Sequence, residues 1–368
     1  VAPLSRRQAL GGLGAFALAG LAHGQAHAAS EGLGFLSGAC TAQGGFCVGA
    51  LDGVLAMRDG VDAPVRLHAL SLRPDGAEAV AVGRRPGDLA LVLDGVGGRT
   101  RSTFRTSHGR RFAGHGAYAD GGRTFLTAEI DAETGEGWIV LRDVAGGYVP
   151  RAEWRSGGVG PHDVAAIGGH IAVANGAREP KTDPGISALG RTSARSNVAV
   201  LDPASGAVVS VAETDAELAT LSLRHVVRTP AGGLLVAAQD TEAGARDRPL
   251  VARVEGERLL WLDADLDVLA RLGGSVCSLA LDRSGRFVAA SGPKGGAVAA
   301  FDLETNAAIG VVSIPDVCGL APAGDGRFVA TSGLGEVALI AVREDGMAII
   351  DRRASALRWD NHLVARSV

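Results

Sequence analysis

A repeated unit constrains this chain more than any other feature. Each copy opens on a His or Cys, then runs through an apolar alternation, a Gly-rich turn and a second apolar stretch. Four copies read His68-Ala-Leu-Ser-Leu-Arg-Pro-Asp-Gly, His115-Gly-Ala-Tyr-Ala-Asp-Gly-Gly, His162-Asp-Val-Ala-Ala-Ile-Gly-Gly and His225-Val-Val-Arg-Thr-Pro-Ala-Gly-Gly. Two carry cysteine instead, Cys277-Ser-Leu-Ala-Leu-Asp-Arg-Ser-Gly and Cys318-Gly-Leu-Ala-Pro-Ala-Gly-Asp-Gly, and a shortened copy follows as His362-Leu-Val-Ala-Arg-Ser-Val. Successive opening positions differ by 47, 47, 63, 52, 41 and 44 residues. Periods of this size, with room for several short strands, are those of β-propeller blades.

The strand signals inside the units agree. In the second unit, Ala117–Ala119, Thr124–Glu129 and Trp138–Arg142 alternate as strands between the turn segments Asp120-Gly-Gly122 and Thr134-Gly-Glu-Gly137. The fifth unit repeats the scheme with Arg286–Ala290 and Ala297–Asp302. The longest step contains Arg178–Ser196, rich in Pro, Gly and basic residues, which reads as a loop insertion. The shortened copy supplies one inner strand, Asn361–Val368, while the apolar runs Gly34–Ala39 and Phe46–Leu51 have no partner before them. Pairing these would complete a seventh blade and remove both free edges. The expectation is therefore an all-β, seven-bladed β-propeller closed by the C-terminal strand, although uneven linkers leave six or eight blades open.

Composition narrows the function classes. Gly is 54 of 368 residues, which suits many tight turns, and the net charge of −4 with no basic tract argues against nucleic-acid binding. The first residues read Ser5-Arg6-Arg7-Gln8-Ala9-Leu10, then an apolar run Gly11–Ala22, then the small-x-small site Ala26-His27-Ala28. Paired arginines before a Gly-rich apolar run have the form of a twin-arginine export signal; an ordinary secretory signal is the alternative. The run is too short for a membrane span. Residues 1–28 are thus expected to be a signal peptide, and residues 29–368 a single periplasmic propeller domain with no membrane span, expected to be a monomer.

The opening residues of the repeats would face one another across the ring axis. Five of the seven histidines outside the leader, His68, His115, His162, His225 and His362, share this position, and the two remaining copies put Cys277 and Cys318 there. Imidazole nitrogen and thiolate sulfur are ligands for Fe, Cu and Zn and poor ones for Ca or Mg. The expected metal set is His68, His115, His162, His225, Cys318 and His362. A second register about fourteen residues on reads Arg84, Glu129, Asn175, Gln239, Ser291 and Ser332 and would form a polar collar. There Glu129 could be a ligand or proton acceptor, while Asn175 and Gln239, with Asp163, Asp360 and Asn361 beside ring histidines, could orient the imidazoles. The competing reading is a polar, water-filled channel inherited through the repeat. Of the four cysteines, Cys40 and Cys47 flank a Gly-rich turn and suggest a hairpin disulfide; Cys277 and Cys318 could be thiolate ligands or a second disulfide. Gly-x-Ser-x-Gly, Walker A, His-Glu-x-x-His and Cys-x-x-Cys-His do not occur, so no catalytic residue is assigned.

The segments Gly114-His-Gly116, Ser156-Gly-Gly-Val-Gly-Pro-His-Asp163, Val173-Ala-Asn-Gly176, Leu223-Arg-His225, Asp316-Val-Cys-Gly319 and Trp359-Asp-Asn-His362 resemble, in order, the bacterial DUF1513 family over roughly residues 35–366. That family has twin-arginine-type leaders and looks like seven-bladed propellers. Its members tend to be encoded beside imelysin-like iron-uptake proteins and di-haem peroxidase-like proteins. The resemblance implies a role in periplasmic iron acquisition, with those proteins as partners and iron favoured over copper; it assigns no catalytic residue. The functional expectation is a periplasmic iron-binding propeller. The alternatives are a copper- or iron-dependent oxidoreductase and a metal-free interaction scaffold.

Overall fold

A computed structural model describes residues 33–95, 98–177, 194–242, 244 and 246–367. The expected signal peptide, residues 1–28, lies outside the described residues, as does most of the expected loop insertion at 178–196. The described residues form seven four-stranded antiparallel sheets, the blades of a propeller. Six blades are continuous in sequence. Their inner strands are Leu67–Leu72 (blade I), Arg110–Ala119 (II), Pro161–Ile167 (III), Leu221–Arg228 (IV), Ser278–Leu281 (V) and Val317–Gly324 (VI).

Blade VII is the closure. Its inner strand, Arg358–Ser367, pairs antiparallel with Leu33–Cys40, which continues through Phe46–Asp52 to the outer strand Met57–Ala63. Leu33 faces Ser367 and Cys40 faces Arg358, so the last strand lies along the whole length of the first. The C-terminal strand starts three residues earlier than the repeat alone indicates. The outer strand of this blade, Met57–Ala63, lacks apolar alternation and was not anticipated.

Burial follows radial position. Strands in the middle of a blade are covered on both faces by neighbouring sheets and read as small apolar runs. Phe287–Gly292 and Ala297–Asp302 are buried at every position. The outer strand Thr100–Arg105 is exposed at all but one. Phe35, Leu51, Val329, Leu339 and Trp359 pack in one cluster that welds the closing blade to blade VI. Aspartates build the hairpins outside this core. Asp52 and Asp302 end the third strand of a blade and Asp202 directly follows one, and each carboxylate accepts a backbone N–H two residues on. This is the Asx-turn preference of Asp in tight turns.

The cysteine hairpin corrects one expectation. Cys47 is opposite Ala39 in the register and Cys40 is opposite Phe46. Side chains alternate along a strand, so Cys40 and Cys47 point to opposite faces of the sheet. Two such thiols cannot be bridged without moving the backbone. All four cysteines are free, and Cys47 is instead part of the apolar core.

Candidate metal centre

In six of the seven blades the inner strand is irregular at the repeat's opening residue. The pairing skips from Leu67 to Leu70, Phe112 to Gly116, Pro161 to Asp163, Leu223 to Val226 and Val317 to Leu320. In the closing blade it skips from Trp359 to Leu363 across Ser37–Ala39. Each gap contains the His or Cys of that blade. In blade V, Cys277 lies just before the strand and donates its N–H to Ser291 O at 2.8 Å. A bulge carries extra residues on one strand and re-aims a side chain that regular pleating would send into a blade face. Here the re-aimed chains meet at the axis.

Five of them form one cluster. Ring centroids lie 4.9 Å apart for His68–His115, 4.9 Å for His115–His162, 5.0 Å for His162–His225, 4.8 Å for His225–His362 and 5.0 Å for His68–His362. His115 also reaches across the loop, at 5.1 Å from His225 and 4.6 Å from His362, and so touches every other member. Two triads of nitrogens can each converge on an ion: His68, His115 and His362, and His115, His162 and His225. Within each triad the ligand atoms lie within 4.8 Å of one another.

Burial holds four of the histidines, His68, His162, His225 and His362, in the neutral form that ligates metals. His68, His115, His162 and His225 are buried, and His362 is half-buried. Loss of solvation pushes His68, His162, His225 and His362 well below the ordinary imidazole value. Neighbouring imidazoles add to this, and so do the cations Arg84 beside His68 and His362, and Arg224 beside His162 and His225.

Several groups fix the rings. Asp163 Oδ1 accepts from its neighbour Val164 N at 2.8 Å and lies 3.3 Å from His115 Nδ1. Its Oδ2 accepts from Val226 N at 3.0 Å and lies 4.0 Å from His225 Nδ1, so one carboxylate spans blades II, III and IV. Arg224 Nη1 approaches His162 Nδ1 at 3.4 Å. Asp360, almost fully buried, receives Arg66 Nε at 2.6 Å and Arg84 Nη1 at 3.0 Å, and caps the N–H of Asn361. Ser37 Oγ donates to the His362 carbonyl at 2.6 Å. Gly114 makes the crowding possible. Its φ is +106°, and a Cβ there would sit 2.4 Å from His68 Cδ2.

Of the six residues in the expected metal set, the five histidines cluster, while Cys318, like Cys277, lies outside both triads. Burial pushes the Cys277 thiol up to about 11 and the Cys318 thiol further still, so neither offers a ready thiolate. Cys277 Sγ receives Asn361 Nδ2 at 3.6 Å, while Cys318 Sγ donates to the Asp316 carbonyl at 3.4 Å.

The collar residues are dispersed into structural duties. Glu129 is fully buried against Arg142 Nη2 at 2.5 Å and Thr127 Oγ1 at 2.8 Å, and none of its described partners is a ring histidine. Asn175 holds Ser156 O and Asn197 Oδ1. Gln239 bridges Ser275 through the backbone. Ser291 and Ser332 donate to the carbonyls of Cys318 and Pro315, while Arg84 joins Asp360 and Asn361. Sequence reasoning overlooked Arg224 and Arg66. The only signal for Arg224 was its place immediately before His225.

This fold and cluster define a class: seven-bladed propellers with a buried imidazole centre at the axis. The chain belongs to the family described as Protein of unknown function (DUF1513), whose model matches residues 61–366. No curated protein matches it. Among solved structures it is similar to the hydrazine synthase of Kuenenia stuttgartiensis, at 16% identity over 83% of this chain and 89% of that chain, with a TM-score of 0.57. It is also similar to U3-55K, at 12% identity over 79% of this chain and 83% of that one, TM-score 0.57. A chain of a mitotic checkpoint complex matches at 9% identity over 78% and 80%, TM-score 0.55. At these identities the likeness is one of fold alone.

Proposed function

We propose that the protein is a periplasmic metal-binding propeller serving iron acquisition, with the metal held by the histidine cluster. One observation carries this reading. Four buried imidazole nitrogens, His68 Nδ1, His115 Nε2, His225 Nδ1 and His362 Nε2, have no hydrogen-bond partner among the described residues. A buried polar atom left unpaired costs about 1–3 kcal/mol. Four in one cluster are a large burden for a purely structural channel. A metal ion that accepts their lone pairs removes it.

The donor chemistry narrows the ion. A set of neutral imidazoles suits Fe, Cu, Zn or Ni and does not suit Mg or Ca. Asp163 against His115 Nδ1 is the carboxylate–histidine arrangement that orients metal-bound imidazoles. Resemblance to a family encoded beside iron-uptake proteins favours iron over copper and suggests imelysin-like and di-haem peroxidase-like proteins as partners. The paired arginines Arg6 and Arg7 support export to the periplasm. The reading is one of binding; it assigns no catalytic group.

Elemental analysis tests it, on protein exported to the periplasm and purified without a polyhistidine tag or chelator. Near-stoichiometric iron is expected, and its loss in the His162→Ala, His225→Ala double variant. Wild-type protein that stays empty after anaerobic addition of Fe(II) and Cu(I) would overturn the metal reading and leave a docking scaffold.

A further inference from the structure

One ring of the cluster differs from the rest. His68, His115, His225 and His362 each keep a buried nitrogen without a hydrogen-bond partner among the described residues. His162 is the exception, because its Nδ1 faces Arg224 Nη1 at 3.4 Å. A guanidinium has only N–H donors, so His162 Nδ1 is the acceptor of that contact. Burial keeps the ring neutral, and a neutral imidazole carries one proton. The proton is therefore on Nε2. With Nδ1 taken by Arg224 and Nε2 protonated, neither nitrogen has a lone pair to give a metal.

Position agrees with this. His115 and His362 have ring centroids 4.6 Å apart, and both lie next to His68 and His225, at 4.8–5.1 Å. These four rings pack round one point. His162 stands at the edge of the group, 6.1 Å from His68, with Arg224 beside it. A ring nitrogen of His162 still comes within 4.8 Å of those of His115 and His225, so proximity alone counts it among the donors.

We propose that His162 is not a ligand: His68, His115, His225 and His362 hold the ion, and the Nε2–H of His162 donates to a small carboxylate bound at the ion's open position. This rests on the metal-binding reading above and adds the division of roles and the class of co-ligand. Arg224 is then a positioning residue, which fixes the His162 tautomer.

Charge points to an anion there. Four neutral imidazoles bring nothing to balance a divalent or trivalent ion. Asp163, 3.3 Å from His115 Nδ1, supplies one negative charge, while Arg224 adds a positive one. A buried charge is costly unless it is paired, and an anion on the ion pairs it. An anionic oxygen is also the acceptor best suited to an N–H whose ring is polarised by a guanidinium. Burial limits its size. His68, His115, His162 and His225 are only 4–8% exposed, which admits a small carboxylate and not a bulky chelate. Four imidazoles on an octahedral ion leave room for such a ligand.

The test loads metal-free protein anaerobically with Co(II), desalts it, and titrates it with formate while the visible cobalt bands are followed. The wild type is expected to keep about one equivalent of cobalt, and His68→Ala to lose most of it. His162→Ala and His162→Gln are both expected to keep about one equivalent. Formate should shift the wild-type bands and bind His162→Ala about 10–100-fold more weakly. His162→Gln, whose amide N–H restores the donor, should recover most of that affinity; a purely structural histidine would show no such recovery. Cobalt lost from both His162 variants, as from His68→Ala, would make His162 a ligand and overturn the proposal. So would formate that leaves the wild-type bands unmoved, or that binds His162→Ala as tightly as the wild type. Wild-type protein that retains no cobalt would overturn the metal reading itself.

Discussion

Gly114 shows how much of the centre depends on the absence of atoms. His68 and His115 come from adjacent blades, and their rings meet edge to face at 4.9 Å. The backbone of residue 114 passes so close to His68 that any Cβ would overlap its ring, and its φ of +106° already favours glycine. Gly116 is constrained from the other side, where a Cβ would lie 2.7 Å from Phe125 and from the Leu126 carbonyl. The Gly-His-Gly segment is thus a packing requirement of the cluster. Gly114→Ala is expected to destabilise the protein by about 1–3 kcal/mol, the usual range for forcing atoms into a filled interior. On the proposed metal reading it should also lower bound metal, because the ring it displaces belongs to the histidine cluster. Chemical denaturation and metal analysis check both; an unchanged midpoint with full metal content would refute the prediction.

At the scale of the element, the strand bulges explain which parts of the site were readable in advance. Blade number, ring closure and the shared register of five histidines were visible, because period, alternation and turn residues are local signals. The gathering of five rings away from two cysteines was not. It depends on how many residues each bulge inserts, two in blade II against one in blade III, and no local pattern states that number. Regular strand geometry also placed Glu129 at the mouth. The residue that claims it, Arg142, is on the neighbouring strand of the same sheet, at the end of the expected strand Trp138–Arg142, where no sequence signal pairs it with Glu129. Its guanidinium is instead buried, bonded to Thr127 Oγ1, Tyr148 O and Glu129, with the Phe104 ring centroid 4.9 Å away. Arg142→Ala would strand the Glu129 carboxylate in the core and is expected to cost about 3–5 kcal/mol. Replacing both residues by apolar ones of similar volume should recover most of that loss. A single variant as stable as the wild type in urea would show that the pair is dispensable.

For the whole molecule, the buried imidazoles couple stability to acidity. Four of them have folded-state values below 6.5, the value of a free imidazole, because burial disfavours the charged ring. Below that pH the unfolded chain binds protons that the folded one refuses, so stability falls as pH falls. Metal-free protein should be at full stability above about pH 6.5 and lose stability below it, by up to about 1.4 kcal/mol per pH unit for each histidine involved. Melting temperatures recorded from pH 7.5 down to pH 5 decide this; a flat profile would contradict it. Ring closure has a different consequence, one of timing. The strand that carries His362, Arg358–Ser367, comes after every other described strand in chain order. On the ribosome it is made after the other four histidines of the cluster. The complete cluster therefore cannot form until that strand has been made and paired. On the proposed reading, capture of metal awaits the closed ring, and a chain stopped before Arg358 keeps an open seam and lacks one of the five imidazoles.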